Sequence, residues 1–291
     1  MPADPQAANT KHWLENLALR ALIGSALALP YPARVWFFGA VMRRVIAPLV
    51  GYKKRAMDNL TLIWPEMPLA RRQAIADQVC DNAGRSLIEN YSTRDFMARM
   101  ARIEPEGPGL AALQAARAAG QAVILVSGHF GNYEAARASL VARGFAVGGL
   151  YRPARNSYFN EHYVRTMEAF GGPIFAQGHV GTSGFVRHLR SGGQLVLLFD
   201  QDVRGAESFA FMGRLARTAT SAAALALRYN ALLIPFYATR QKDGLGFVID
   251  LEAPIAVSDA SAMTAAITAS LEARVRAKPE QWFWIHKRWK K

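Results

Sequence analysis

One segment of the chain has the make-up of a catalytic turn: Val126-Ser127-Gly128-His129-Phe130-Gly131-Asn132-Tyr133-Glu134. It follows an apolar run of strand character and opens a stretch of helical character. A glycine near either side of the histidine lets the chain turn tightly and lift the imidazole out of a sheet. Imidazole is the side chain suited to taking a proton near neutral pH. If His129 and Glu134 were both helical, five steps of about 100° would leave them about 140° apart and unable to meet. The expectation is therefore that His129 sits in the turn as a general base. The Glu134 carboxylate, from the first turns of the helix, would orient its ring and favour the imidazolium. A histidine in such a loop can also be structural; the glycines and the carboxylate five residues on favour catalysis.

Four further residues are candidates for contacts to a substrate. Arg152 follows an expected strand and Arg165 lies on the next helix, and arginine suits bidentate phosphate recognition or a developing oxyanion. For Arg165 the competing reading is a solvated helix face. Asp200 and Asp202 close the apolar run 195–199, where ligand-facing residues of an α/β sheet accumulate, or else they cap a turn. A metal site is not expected, because hard cations need several oxygen ligands and no clear third is near. The lone cysteine, Cys80, excludes an internal disulfide or a thiolate zinc cluster and reads as a buried structural residue. With no Gly-x-Ser-x-Gly elbow and no second cysteine, a covalent nucleophile is not indicated.

These residues need a scaffold, and the pattern indicates one. From residue 121 onward short apolar runs at 122–126, 146–151, 195–199 and 232–237 read as strands. They alternate with helical stretches at 133–143, 158–170, 182–190, 218–229 and 261–277. That alternation predicts the α/β class, with helices on both faces of a sheet and ligands beyond the C-terminal ends of its strands. Upstream, 53–62 and 69–100 read as amphipathic helices parted by Trp64-Pro65-Glu66-Met67-Pro68, and a Pro/Gly-rich joint spans 105–109.

The first 52 residues are strongly apolar but are interrupted by Glu15, Arg20, Arg34, Arg43 and Arg44, so no uncharged run reaches the roughly 18 to 20 residues of a spanning helix. Positive charge follows the apolar stretches instead of preceding them, which argues against a cleaved export signal. The segment predicts helices lying in or shallowly entering a membrane leaflet, with a buried helical hairpin of a soluble protein as the alternative. The organisation expected is a membrane-associating helical segment over 1–52, an amphipathic helical region over 53–104 and an α/β catalytic core over 105–291.

Across 291 residues, 51% hydrophobic, the chain can bury a substantial core, and its formal net charge of +13 draws anionic partners: nucleic acid, anionic lipid or an acidic carrier. The end of the chain, His286-Lys287-Arg288-Trp289-Lys290-Lys291 with Trp282 and Trp284 before it, reads as an interfacial anchor or headgroup contact. Single-stranded nucleic acid would also suit basic residues among aromatics. It is disfavoured, because neither the apolar N-terminus nor the His129 turn has a use there.

Gly128-His129-Phe130-Gly131-Asn132-Tyr133-Glu134 resembles the His-x4-Asp/Glu block of glycerolipid-type acyltransferases, and in particular of the lipid A biosynthesis acyltransferases. The likeness continues through Lys54 to Pro65, Tyr151-Arg152-Pro153, Asp200-Gln201-Asp202, Phe211-Met212-Gly213 and Gln281 to Arg288, in family order and over nearly the whole chain. Where the family often has two arginines two residues apart, Arg165 is followed by Met167. The resemblance implies a helical N-terminal membrane-associated region followed by a mixed sheet flanked by helices. It implies transfer of a fatty acyl chain from an acyl carrier protein thioester to a hydroxyl of a lipid A precursor, with no cofactor, metal or acyl-enzyme. It places the enzyme at the cytoplasmic face of the inner membrane, where the acyl carrier protein and an anionic lipid are its partners. A lysophospholipid, an ornithine-type lipid or another glycolipid is the alternative acceptor, and a catalytically silent membrane-binding homologue the alternative class.

Overall fold

A computed structural model describes residues 10–154 and 156–290. The N-terminal third is helical: α1 (Thr10–Leu27), α2 (Tyr31–Val41), a π-helical turn (Met42–Ile46) running into α3 (Ala47–Leu49), α4 (Tyr52–Ile63), α5 (Leu69–Tyr91) and α6 (Thr93–Met100). The stretch expected as one helix over 69–100 is two, parted at Ser92, whose hydroxyl donates to the Ile88 carbonyl. Then follow α7 (Pro108–Ala118), β1 (Val123–Ser127), α8 (Tyr133–Ala142), β2 (Val147–Tyr151), α9 (Ser157–Glu168), β3 (Ile174–Ala176), α10 (His179–Arg190) and β4 (Gln194–Leu198). After them come a hairpin β5 (Ser208–Phe211) and β6 (Arg214–Arg217), α11 (Ser221–Arg228), β7 (Leu232–Arg240), β8 (Phe247–Leu251), α12 (Ala260–Ala277) and a 3₁₀ turn at Pro279–Gln281.

The expected α/β class is the observed one. Six strands form a mixed sheet in the order β3-β2-β4-β1-β7-β8, parallel except for β8. Strand β1 is apolar on both faces because the sheet is covered on both. Ile124 and Val126 point into a core with Phe185, Leu189, Ala222, Leu271 and Trp282, while Val123 and Leu125 point into one with Phe38, Phe96, Leu113 and Leu140. The four strands read from sequence are β1, β2, β4 and β7; β3 is three residues long, and β8 and the hairpin have exposed alternate positions, which weakens their apolar signal.

Helices α1 to α5 are not an appendage. Ile23, Ala26, Tyr31, Val35 and Phe38 belong to one core, and Ala47, Ala56, Leu60, Ile75 and Cys80 to the other. Cys80 is fully buried, and burial pushes its thiol up to about 11. The opposite faces of the same helices leave large apolar groups in solvent: Trp13, Leu14, Leu17, Trp36, Phe37, Val45, Leu49 and Val50. Among the described residues no single helix is long and apolar enough to cross a membrane. Tyr31–Leu49 and Tyr52–Ile63 reach that length and apolarity only as a pair bent by 83°.

Strand connectivity locates the crevice. The chain leaves β1 toward β2 on one side and leaves β4, by way of the hairpin and α11, toward β7 on the other. The C-terminal ends of the neighbouring strands β1 and β4 thus flank the switch point at which ligands of such sheets gather.

Candidate active site

Ser127 at the end of β1 pairs in register with Leu198 at the end of β4. Two residues beyond each stand His129 and Asp200, so the register of two parallel strands carries one toward the other. His129 Nδ1 lies 2.7 Å from Asp200 Oδ1, and the His129 backbone N–H donates to Asp200 Oδ2 at 2.8 Å. A carboxylate only accepts, so Nδ1 carries the hydrogen and Nε2 presents its lone pair outward. Asp200 Oδ2 also accepts from the indole Nε1–H of Trp282 at 2.8 Å. Asp200 is fully buried, which alone would raise its pKa. The charge and hydrogen bonds of His129, with His286 adding, hold the carboxyl well below the usual carboxylate range.

The turn itself is as tight as its glycines suggest. A Cβ on Gly128 would press on Leu271 and approach Asp200 Oδ2 at 3.0 Å, and one on Gly131, at φ +57°, would lie 1.9 Å from the Ala238 carbonyl oxygen. Asn132 caps α8 by accepting from the Glu134 N–H at 3.1 Å and donates from Nδ2 to the buried Glu89 at 2.9 Å. Glu89 in turn pairs with Arg240 of β7.

Glu134 does not orient His129. Its Oε2 accepts from Arg137 Nε at 2.8 Å, and both side chains are nearly fully buried. Arg137 also donates to the carbonyls of Gly171 and Met167. A guanidinium three residues along the same helix is a nearer partner for this carboxylate than a ring in the preceding turn. The carboxylate bonded to the His129 ring is that of Asp200, a residue expected from sequence as a substrate contact.

His129 and Tyr133 line two cavities. One, of about 630 Å³, runs over the C-terminal ends of β2 and β4 past Glu134, Arg137, Arg152, Tyr163, Gln201, Asp202 and Arg204. The other, of about 370 Å³, is mainly apolar and lies between α5 and the end of the chain, against Met42, Tyr52, Val79, Leu87, Trp282 and Phe283. Arg152 is exposed at the rim of the first. Arg165 lies outside the lining of both cavities, solvated on α9 and paired with Glu161 at 2.7 Å. Asp202 accepts two hydrogen bonds from Arg217, at 2.8 and 3.0 Å, and pairs with Lys290 at 3.1 Å, and these partners keep its pKa low although burial opposes them. Among the described residues no three His, Cys, Asp or Glu side chains converge as metal ligands.

The end of the chain is part of the site, and here the reading of it as an interfacial anchor is corrected for Trp282, Trp284 and Arg288, which are at most 1% exposed. The Phe283 N–H donates to the His129 carbonyl at 2.9 Å, and the Gly131 N–H to that of Gln281 at 2.8 Å. The His286 ring stands 4.7 Å from that of His129 at 77°. Gln201 Nε2 lies 3.5 Å from Nε2 of each imidazole. Sequence reasoning missed His286 and Gln201 as site residues; their blocks were recognised, but nothing local places either beside His129.

With this geometry in view, comparison of the whole chain is decisive: residues 1–291 match the family described as bacterial lipid A biosynthesis acyltransferase. The chain belongs to that family. It is similar to the lipid A biosynthesis lauroyltransferase of Escherichia coli K12, 24% identical over 96% of this chain and 92% of the relative. It is similar to the same organism's lipid A biosynthesis myristoyltransferase, 24% identical over 98% and 89%. A lipid A biosynthesis acyltransferase of Haemophilus influenzae is 25% identical over 96% and 91%.

Titration of the acyltransferase tests the site's electrostatics. Burial, then the neighbouring His129, push His286 down from 6.5 to about 4; Asp200 opposes this shift, and Arg55 and Arg288 reinforce it. The folded state therefore favours the neutral ring. The stability this contributes is fully present above pH 6.5 and is lost as pH falls toward 4. Denaturant melts at several pH values should show wild type losing on the order of 3 kcal/mol more than His286→Gln over that window. Parallel curves would refute the assignment.

Proposed function

We propose that this acyltransferase moves a fatty acyl chain from an acyl carrier protein thioester to a hydroxyl of a lipid A precursor, with His129 as general base. The observation that carries the reading is the dyad of His129 and buried Asp200 between a cation-lined cleft and an apolar cavity. A thioester is already activated, so the enzyme has mainly to align the alcohol, take its proton and stabilise the oxyanion. The outward Nε2 lone pair of His129 receives the hydroxyl proton, and Asp200 stabilises the imidazolium that forms. The proton then passes to the departing thiolate.

Each cavity suits one part of the reaction. The apolar one offers Val79, Leu87, Met42 and Tyr52 to an acyl chain, where a single methylene is worth about 1 to 3 kcal/mol of discrimination. The wider cleft presents Arg152 and Arg204, both exposed, a lining suited to a phosphorylated, polar acceptor. Glu134, held by Arg137, shapes that wall. The names of the lauroyl- and myristoyltransferase relatives support the same acceptor, and the charge of +13 favours an acidic carrier.

The exposed apolar faces of α1 to α3, with Arg20 and Arg44 in solvent beside them, support docking on the cytoplasmic leaflet of the inner membrane. Removing residues 1–52 cannot test this, because Ile23, Ala26, Tyr31, Val35, Phe38 and Ala47 are core. Trp36→Glu combined with Leu49→Glu, at positions 60% and 82% exposed, should move the folded enzyme from the membrane fraction to the supernatant. A double variant that still pellets with membranes would show that these faces are not the anchor.

The reaction is tested by turnover of acyl carrier protein thioesters with purified enzyme, alongside the lipid A mass profile of a deletion strain. Expected are transfer to the lipid A precursor, a loss of roughly 10² to 10⁴ in His129→Ala measured on protein that is still folded, and lipid A lighter by one acyl chain. Near-normal turnover in folded His129→Ala would sink the mechanism. Unaltered lipid A alongside a missing acylated phospholipid, ornithine lipid or glycolipid would reassign the acceptor.

A further inference from the structure

We propose that His286 is a second catalytic imidazole, a neutral hydrogen-bond donor to the thioester carbonyl oxygen as that oxygen becomes an oxyanion. The inference rests on the acyl-transfer reading and adds a residue to it.

The amide nitrogen of Gln201 lies 3.5 Å from His129 Nε2 and 3.5 Å from His286 Nε2, so both ring nitrogens face one point. Gln201 is exposed and can yield that point to a substrate. A tetrahedral carbon presents two oxygens there, the attacking one toward His129 and the former carbonyl oxygen toward His286. The His286 ring is held for this by the edges of two neighbours, His129 at 4.7 Å and Phe283 at 4.6 Å between centroids.

The backbone beneath the ring is fixed from both sides. Asn59 of α4 donates from Nδ2 to the carbonyls of Trp284, at 2.7 Å, and of His286, at 2.8 Å. Arg55 donates to Ile285 at 3.3 Å, and buried Arg288 donates to the Arg217 carbonyl at 2.6 Å and to Thr218. Donors that stabilise an oxyanion act best when they do not have to reorganise, and this anchoring supplies that condition.

The charge state suits the same role. The groups around His286 are Asp200, which favours its protonation, and His129, Arg55 and Arg288, which oppose it, and burial adds to the opposition. The ring is therefore neutral near pH 7, so His129 becomes an imidazolium beside a dipole and not beside a second cation. In the step, the hydroxyl oxygen bonds to the carbonyl carbon while its proton moves to His129 Nε2, and the carbonyl π pair moves onto oxygen. With the Gln201 amide displaced from that point, His286 takes the tautomer with hydrogen on Nε2 and donates to that oxygen. Collapse re-forms the carbonyl, breaks the carbon–sulfur bond and returns the His129 proton to the thiolate. His286 keeps its proton throughout.

The test compares His286→Phe, which keeps a ring and removes the donor, with His286→Gln, which keeps a donor. Single-turnover kcat is measured on an acyl carrier protein thioester, and binding on an unreactive S-alkyl pantetheine thioether, with full-length enzyme. Expected are a fall of roughly 10² to 10³ in kcat for Phe, the usual cost of one oxyanion donor, thioether binding within about threefold of wild type, and at least tenfold recovery in Gln. If Phe melts early, His286→Leu replaces it in the same comparison. Turnover within about threefold of wild type in the donor-less variant would overturn the role. Equal losses in Gln and the donor-less variant would do the same, marking His286 as packing. A wild type that turns over no acyl thioester would remove the reaction itself; an active wild type with an unimpaired donor-less variant removes only this inference.

Discussion

A single buried carboxylate holds the site together. Asp200 accepts from the His129 main chain, the His129 ring and the Trp282 indole, and these three donors come from the loop after β1 and from the terminal segment, while Asp200 follows β4. A charge with no exposure is tolerated only when its lone pairs are met and an opposite charge can form beside it. Both conditions are supplied by the groups that need positioning. The interaction that stabilises the buried charge is thus also the one that sets the imidazole tautomer. Gly128 follows from it, because a Cβ there would reach Asp200 and Leu271.

The same constraint explains why Trp282 and Trp284 are folded inward. Trp282 must reach Asp200, and once it does, Gln281 and Phe283 bond the His129 turn while Asn59 and Arg55 of α4 bond the carbonyls that follow. The helical N-terminus therefore contributes to the active site as well as to the exposed apolar face. Its inner side closes the apolar cavity at Met42, Tyr52, Val79 and Leu87, and its outer side carries Trp36 and Leu49. Both surfaces are thus carried by the same few helices.

Much of this was legible in the sequence, for definite physical reasons. The class followed from apolar runs alternating with helical stretches, and the His129 turn from two glycines, one of which sits at positive φ against a neighbouring backbone. The partner was not legible, since local spacing favoured Glu134 while the real acceptor lies 71 residues away and arrives through the pairing of Ser127 with Leu198. Glu134 misled because its competitor, Arg137, is equally local and has the better reach. Composition likewise cannot separate a tryptophan and arginine cluster at a membrane interface from one packed beneath an active site, which is why Trp282 and Arg288 were read outward. Arg165 stands exposed on α9, paired with Glu161.

The most direct measurement of the central claim, that Asp200 and not Glu134 sets the state of His129, is a double-mutant cycle on acyl transfer with His129→Ala, Asp200→Asn and Glu134→Gln. Residues that act as a unit are non-additive. Asp200→Asn alone should reduce kcat by roughly 10² to 10⁴, as loss of the orienting carboxylate of a histidine base does. In the His129→Ala background it should cost little more, while Glu134→Gln should cost about the same in both backgrounds. Additive losses for Asp200 with His129, together with strong coupling of Glu134 to His129, would contradict the account.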